Sequence, residues 1–354
     1  GMALQASPTA TPVDETPATL VVTERTAEAL LGMPIAQAKP GTMGKTVRGA
    51  LVWDEKTAPA RNVGAIVRGS DAKLRETYVA IGAHSDHVGY LTAENLPEHD
   101  SLHTYNAARF AVVGMVSRGQ QQTQAQREAV AAIKVNVDSM RMARPARIDS
   151  IRNGADDDGS GSVTLLELAE SFAKAPTRRS LLFVWHVGEE NGLWGSRWYV
   201  DHPTVPRDSI VAQLNMDMVG RGEARDLPVG GTNYLQLVGS RRLSTELGDL
   251  VEAVNKQQKV PFTFDYQFDA NGHPENIYCR SDHFHYARWG IPVTFFTSGL
   301  HGDYHQVSDE PQYIAYDHMA RVGTLVHDVA VKVANNAKRP VVDGVKSTRT
   351  GGAP

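Results

Sequence analysis

The stretch LLFVWHVGEENGLWGSRWYV, residues 181–200, places an apolar run directly before two adjacent acids, Glu189 and Glu190. A short apolar run that ends at a glycine predicts a strand buried on both faces. Adjacent like charges repel each other, so this pair is costly at a strand end unless another charge offsets it. The segments on either side of this strand indicate what that charge is.

Short apolar runs alternate with helical patterns, which is typical of an α/β fold with a largely parallel sheet. The predicted strands are residues 47–54, 62–69, 77–84, 180–187, 210–217, 234–239 and 291–297. The predicted helices are residues 161–175, 192–202, 240–257 and 316–335. We therefore expect a three-layer αβα architecture, in which helices flank a central mixed, mostly parallel sheet.

Composition excludes several classes of protein. Hydrophobic residues make up 41% of the 354 residues, and no apolar run reaches the roughly 18 residues of a membrane span. A formal net charge of −4 leaves no cationic surplus for a phosphate backbone, so nucleic acid is not expected as a partner. The single cysteine, Cys279, excludes an internal disulfide.

Acidic and imidazole side chains cluster where predicted strands end and in the turns beside them. The clusters are HSDH at 84–87, the triplet in NGADDDGSG at 153–161, Glu189-Glu190, Asp217, and HGDYH at 301–305. The carboxyl ends of parallel strands meet at one edge of a sheet, so these side chains are expected to converge. Imidazole and carboxylate without thiolate suit zinc, cobalt or manganese at a hydrolytic site.

Each cluster alone has an ordinary structural explanation. A single histidine is most often a hydrogen-bonded loop residue, and an aspartate before a helix most often caps it. The glutamate pair alone could be an exposed turn. These explanations weaken because all the clusters coincide at the ends of adjacent predicted strands.

Five ordered motifs make residues 62–340 resemble the M28 family of zinc aminopeptidases, which use two metal ions. The motifs are IGAHSDHVG, GADDDGSG, EENGLWGS, NMDMVG and SDHFHYARWGIPVTFFTSGLHGDYH. The resemblance implies the zinc-peptidase fold, which is phosphorylase/hydrolase-like. It also implies a metallo-aminopeptidase with two divalent metal ions, for which zinc is expected, and peptides as substrates.

The resemblance assigns metal ligands to individual residues. Asp157 would bridge the two ions with one oxygen to each. His84 and Asp217 would complete the first ligand set, and Glu190 and His305 the second. Each ion would then keep an open position, as a hydrolytic rather than a structural site requires.

The resemblance also separates the tasks of the two glutamates. Glu189 would be the general base that takes a proton from the attacking water and returns it to the leaving amine. Asp86 would orient the ring of His84 by accepting its other N–H. Asp282 and Tyr304 are expected to flank the substrate pocket. Two nearby dications would offset the repulsion between the adjacent glutamates.

The chain is expected to contain four parts. They are a flexible N-terminal segment with a cloning remnant (1–18), an appendage similar to the end of a protease-associated domain (19–60), a catalytic domain (61–340) and a flexible tail (341–354). No leader peptide is recognisable, but the Gly-Met start suggests that one was lost. We expect the natural protein to be secreted or periplasmic.

Residues 91–151 form an insert that is longer than the usual link between the first two motifs of the family. Residues 123–142 have helical spacing and predict a helix that covers a face of the sheet. An alternative is that His99, His103 and Tyr105 belong to a rim or lid over the site.

Four functions are compatible with these motifs, and a two-metal aminopeptidase is the first of them. A carboxypeptidase or a glutaminyl cyclase could use the same fold. A metal-free receptor-like binding protein is disfavoured because all five ligand positions and the base are present. A carboxypeptidase would need a guanidinium for the terminal carboxylate, whereas the surroundings of the motifs are mostly acidic. The acids are Asp156, Asp158, Glu189, Asp282 and Asp303, against Arg197, Arg221 and Arg280.

Overall fold

The computed structural model describes residues 22–46, 59–92, 96–114 and 121–344. The chain divides into two compact units between Ala58 and Pro59. In the first unit, helix α1 (Glu24–Leu31) begins where the Thr23 hydroxyl accepts the N–H of Thr26. The strand predicted at 47–54 lies outside the described residues. Among the described residues, no helix combines the length and apolar character that a membrane span requires.

The second unit contains one seven-stranded sheet. Its strands are β1 (Val63–Val67), β2 (Tyr78–His84), β3 (Ser180–His186), β4 (Ile210–Met216), β5 (Tyr234–Val238), β6 (Thr263–Asp265) and β7 (Val293–Thr297). Their order is β1-β3-β2-β4-β7-β5-β6. The β1-β3 and β5-β7 pairs are antiparallel and the other four pairs are parallel. The expected mixed, mostly parallel sheet is therefore confirmed.

The described residues of the insert form three helices: α2 (His99–Val113), α3 (Gln124–Ala131) and α4 (Val137–Ala143). The prediction of a single helix over 123–142 is therefore wrong. Helix α3 ends at Ala131, and the separate helix α4 begins after Asn136. The side chain of Asn136 accepts the N–H of Ser139 and caps α4. No residue of α3 or α4 is buried, so these two helices do not form the expected cover of the sheet.

Helices cover both faces of the sheet and complete the three layers. They are α5 (Gly161–Lys174), α6 (Trp194–Asp201), α7 (Thr245–Lys256), α8 (His283–Arg288) and α9 (Tyr316–Asn335). Helices α5, α7 and α9 pack in one hydrophobic core, whereas α6 and α8 pack in a second core. Successive residues of β3 alternate between these cores, with Leu181 in the first and Leu182 in the second. Because both faces of these strands are buried, their sequences are continuous apolar runs. Helices on both faces of the sheet confirm the αβα prediction.

Four parallel, adjacent strands end at the same edge of the sheet. Strand β2 ends at His84, and its neighbour β4 ends at Met216, directly before Asp217. Strand β3 leads into the acidic pair at 189–190, and β7 leads into a loop that spans 298–310. This edge therefore gathers the residues that the motifs singled out.

Candidate metal centre

One group of possible metal ligands lies where β2 and β4 meet the turn before α5. Ligand atoms of His84, Asp157 and Asp217 all lie within 4.8 Å of one another. The Nε2 atom of His84 is 3.1 Å from Asp157 Oδ1 and 3.7 Å from Asp217 Oδ2. Tetrahedral ligands about 2 Å from zinc would lie roughly 3.3 Å apart, so these spacings suit an ion.

A second group uses the other oxygen of Asp157. The Nε2 atom of His305 lies 3.0 Å from Asp157 Oδ2 and 3.0 Å from Glu190 Oε2. His87, which sequence reasoning left without a role, places Nδ1 2.9 Å from Glu190 Oε1. The second imidazole of the HSDH cluster was the signal that could have revealed it. Ligand atoms of His87, Asp157 and Glu190 all lie within 4.8 Å of one another, so Asp157 is common to both groups and the second group has two imidazoles beside it.

Several of these ligand atoms are buried without a hydrogen-bond partner. They are Nε2 of His84, both ring nitrogens of His87, Oδ2 of Asp157, Oε1 of Glu190 and Nε2 of His305. A buried polar atom without a partner is costly, and such atoms rarely occur in groups. Their convergence at one edge of the sheet, in a set of imidazoles and carboxylates, fits a divalent cation such as zinc.

The electrostatics of the site also favour a cation. Burial opposes a charged imidazole, yet Asp157 and Glu190 raise the pKa of His305 to about 9. In the same way, Asp217 and Asp157 overcome burial and raise the pKa of His84 well above its ordinary value. The carboxylates therefore create a negative field in which a bound cation is stabilised.

The three consecutive aspartates have different surroundings. Asp158 is buried, and its Oδ2 accepts the N–H of His84 at 2.9 Å. Asp156 is also buried, and its Oδ1 accepts the N–H of Gly220 at 2.6 Å. Only Asp157 of the three lines the cleft, and the peptide bond that follows it is cis. The outer two aspartates therefore fix the turn that presents the middle one.

Asp86 holds the turn that carries the two glutamates. Its Oδ1 accepts the N–H of Glu189 at 3.1 Å, and its Oδ2 accepts the N–H of Glu190 at 3.3 Å. The ring Nδ1 of His84 lies 3.1 Å from the main-chain oxygen of Asp86 and 3.6 Å from its Oδ1. Sequence reasoning expected the contact with His84 but missed the two bonds to the backbone. A single acid thus supports residues from both ligand groups.

Glu189 lines the cleft together with Asp157 and Asp217. Burial and the negative charges of Asp217, Asp282 and Asp157 raise the pKa of Glu189 well above its ordinary value. A carboxylate whose pKa is raised is a stronger base and accepts a proton more readily from a neighbouring group. The position and the environment of Glu189 therefore suit a general base.

The remaining wall of the cleft is mostly apolar. Its apolar side chains are Met218, Phe268, Ile277, Phe295 and Leu300. Tyr304 also lines the cleft, and its ring stacks on His305 with a centroid distance of 3.8 Å. Arg280 donates from Nη2 to the Tyr304 hydroxyl at 3.2 Å and from Nη1 to Glu275 Oε2 at 2.9 Å. The structure thus places Tyr304, predicted to bind substrate, against the cleft.

Asp282, the other residue predicted to bind substrate, is fully buried and is not among the residues that line the cleft. Burial raises the pKa of Asp282 to about 7, and its Oδ2 lies 3.5 Å from His186 Nδ1. A direct contact between Asp282 and a substrate stays a prediction. The next residue, His283, stacks on Phe295 of the cleft wall with a centroid distance of 4.7 Å.

Known proteins resemble this chain in sequence. A leucine aminopeptidase 1 from Aspergillus fumigatus is 28% identical over 195 residues, which cover 51% of this chain and 47% of that protein. A probable leucine aminopeptidase from Trichophyton verrucosum is 35% identical over 102 residues, which cover 27% of this chain and 28% of that protein. The chain spans about half the length, or less, of these curated relatives.

Two solved structures are similar to this chain at low identity. The aminopeptidase from Aneurinibacillus sp. strain AM-1 has a TM-score of 0.48 and 20% identity, over 80% of this chain and 50% of that chain. A leucine aminopeptidase precursor from Bacteroides thetaiotaomicron has a TM-score of 0.48 and 15% identity, over 79% of this chain and 77% of that chain.

Comparison with protein families matches residues 62–330 to Peptidase family M28. This match spans about three quarters of the 354 residues and contains all five motifs that carried the resemblance. The chain therefore belongs to peptidase family M28.

Proposed function

We propose that this protein is a metallo-aminopeptidase that hydrolyses N-terminal residues from peptides with two divalent ions, for which zinc is the first choice. One observation carries the proposal: Asp157 directs one oxygen to each of two ligand groups beside the cleft that Glu189 lines. His84 and Asp217 would complete the first group. Membership of family M28 and the names of the curated relatives support the same activity.

The residues of the cleft have different tasks in the proposed hydrolysis. Bound divalent ions would supply Lewis-acid polarisation of the peptide carbonyl and would lower the pKa of water. Glu189 takes a proton from the attacking water and delivers it to the leaving amine. The Tyr304 hydroxyl accepts a hydrogen bond from Arg280, which can only donate, so its own proton is free for a carbonyl oxygen in the cleft.

The charges around the cleft favour an aminopeptidase over a carboxypeptidase. A terminal carboxylate needs an Arg or Lys to hold it; Arg280 lines the cleft, but its two terminal nitrogens already donate to Glu275 and to Tyr304. Arg221 is buried and donates to Asp226 Oδ1 at 2.7 Å. Of the five acids counted near the motifs, only Glu189 lines the cleft, where it joins two ligand carboxylates. This acidic side of the cleft suits a cationic amine.

The apolar wall of the cleft suits an apolar side chain at the N-terminus of the substrate. Phe268, Ile277 and Leu300 offer hydrocarbon surface there, and burial of an apolar side chain contributes roughly 1.5–3 kcal/mol. We therefore propose that leucine-like residues are released faster than acidic or basic ones. The printed names of the curated relatives are in line with this preference.

A single experiment tests both the metals and the direction of cleavage. Metal content is measured on the purified protein, and hydrolysis is followed with a panel of peptides in free, N-acetylated and C-amidated form. The proposal expects two ions per chain and hydrolysis that acetylation abolishes but amidation leaves intact. Cleavage of acetylated but not amidated peptides would establish a carboxypeptidase instead, and a single functional ion would favour the cyclase.

A further inference from the structure

We infer that the insert, residues 91–151, is a positioning element that holds the loop bearing His305, and thereby sets the affinity of the second ligand group alone. The inference rests on the proposed function for its metals, but the support itself is visible in the contacts of the insert. The name His305 loop is used for residues 301–310. This role differs from the rim or lid that was considered as an alternative, since none of His99, His103 and Tyr105 lines the cleft.

The first anchor lies two residues before His305. Asp303 is buried, and its Oδ2 lies 2.6 Å from Nδ1 of His103 on α2. Asn106, one turn further along α2, donates from Nδ2 to Asp303 Oδ1 at 3.2 Å. The ring of His103 stacks on Tyr313 with a centroid distance of 3.6 Å and an interplanar angle of 9°. The insert therefore satisfies a buried carboxylate that would otherwise lose two donors.

The second anchor lies at the far end of the His305 loop. Arg147 donates from Nη2 to Glu310 Oε2 at 2.8 Å and from Nη1 to Glu310 Oε1 at 3.1 Å. His99 places Nδ1 2.8 Å from the same carboxylate. Paired donors from a guanidinium fix a carboxylate in direction as well as in position. The insert thus holds the loop on both sides of His305.

The His305 loop needs such support because it contains no strand or α-helix of its own. His305 has a φ of +60°, a conformation that is unfavourable for a residue with a side chain and persists only where the surroundings impose it. On its inner side, Asp309 Oδ2 accepts the N–H of Asp156 at 3.0 Å and that of Asp157 at 3.2 Å. The loop is therefore fixed between the insert and the turn of the shared ligand.

This arrangement predicts that only one ligand group depends on the insert. His84 and Asp217 end neighbouring strands of the sheet and need no contact with α2 to stay in place. The shared Asp157 touches the loop through Asp309, but its turn is also held away from the loop, because Asp156 accepts the N–H of Gly220 and Asp158 accepts the N–H of His84. His305 reaches the second group only through its loop. A displacement of α2 from the loop should therefore weaken the second group and spare the first.

Gly302 offers a clean way to separate the loop from the insert. A Cβ atom at Gly302 would lie 2.7 Å from the main-chain oxygen of Asn106, too close for the two segments to keep their positions. Gly302→Ala thus displaces the contact without removing any ligand or any charge. Gly231→Ala is the matched control, because a Cβ atom there meets nothing within 4 Å.

The test is a titration of metal-free protein with Zn²⁺ against a competing chelator. For Gly302→Ala we expect one of two dissociation constants to rise about 10- to 100-fold, the range typical when a ligand loses its support, while the other stays constant. Gly231→Ala should match the parent protein. Equal weakening of both ions, or the same change in the control, would overturn the inference.

A second variant and a second measurement keep the test independent of folding and of activity. His103→Phe retains an aromatic ring for Tyr313 but has no N–H for Asp303, and it should weaken the same ion. Hydrogen exchange of the metal-free proteins should be faster than in the parent at the amides of Tyr304 and Gln306, which bond within the loop. Unchanged exchange and unchanged zinc affinity in both variants would refute the inference. A parent protein that binds zinc but cleaves no peptide would refute the proposed function alone.

Discussion

The two ligand groups contain similar side chains but rest on different kinds of support. His84 and Asp217 follow two adjacent strands at the centre of the sheet, and the side chain of His84 is only 1% exposed. His305 lies in a loop, and its side chain is 28% exposed. Regular elements hold side chains more precisely than loops do, so loops that carry ligands need further contacts.

One edge of the sheet thus combines a ligand group that the strands hold and a ligand group that a loop holds. The strand-borne group depends on the pairing of β2 with β4, which the hydrophobic core stabilises. The loop-borne group depends on ion pairs and hydrogen bonds between segments about two hundred residues apart in the chain. Single substitutions can therefore test separately the general base, the ligand that both groups share, the exposed ligand and the hydrophobic core.

The largest effect is expected from the acid that belongs to neither group. Glu189→Gln should keep both ions but lower turnover by about 10²–10⁴-fold, because the cleft then has no general base. Steady-state kinetics and metal analysis on the same preparation would measure this. Glu246→Gln, a change in the first turn of α7, is a matched control for the substitution itself. Near-normal turnover of Glu189→Gln with both ions bound would remove Glu189 from the mechanism.

A smaller but broader effect is expected from the ligand that the two groups share. Asp157→Asn should lower the affinity of both ions, whereas His84→Ala should lower the affinity of one. Loss of a ligand or of its orientation typically weakens a metal site 10- to 100-fold or more. Metal content after dialysis against a weak chelator would distinguish the two variants. If both variants lost the same single ion, Asp157 would not be the bridge.

The strand-borne and loop-borne groups should also differ in how readily they release metal. Since His305 is partly exposed and His84 is buried, a chelator should remove the second ion at least about ten times faster than the first. Stopped-flow mixing with a chromophoric chelator should show two phases, and His305→Ala should abolish only the fast phase. A single phase for the parent protein would show that the two sites open together.

Sequence reasoning succeeded where burial dictates the pattern and failed where long-range contacts decide. Strands such as β2 and β3 were predictable because both of their faces are buried, so they read as apolar runs. Strand β6 was missed because its three residues, TFD, contain no apolar run. Residues 123–142 were predicted as one helix because local spacing cannot show that a second helix begins after Asn136.

The same distinction applies to the residues of the candidate site: local motifs predicted some of them, and long-range contacts determine the others. The motifs pointed to Asp157 because strand ends and turns have local sequence patterns that can be recognised. The structure places Asp157 between both groups. The donors that hold Asp303 could not be predicted, since His103 and Asn106 lie in a distant helix and no local pattern links them to it.

The smallest effect is expected behind the cleft, where pH acts on the core rather than on the ligands. Burial lowers the pKa of His283 from its ordinary 6.5 to about 3. Between these two values the unfolded chain binds one more proton than the folded chain, so the free energy of unfolding decreases as the pH falls through this window. One such proton corresponds to a slope of about 1.4 kcal/mol per pH unit.

His283→Gln removes this titration and should therefore reduce the pH dependence of stability by roughly one proton below pH 6.5. The measurement is urea unfolding of metal-free parent and variant at several pH values from 7 down to 4. Metal-free protein is used so that release of ions from the ligand groups does not add to the slope. The variant loses the stacking on Phe295 and should be less stable at pH 7, so the slopes and not the absolute stabilities are compared. Identical slopes for the two proteins would show that His283 is protonated alike in the folded and unfolded chains, and that the wall behind the cleft is more open to water than its burial indicates.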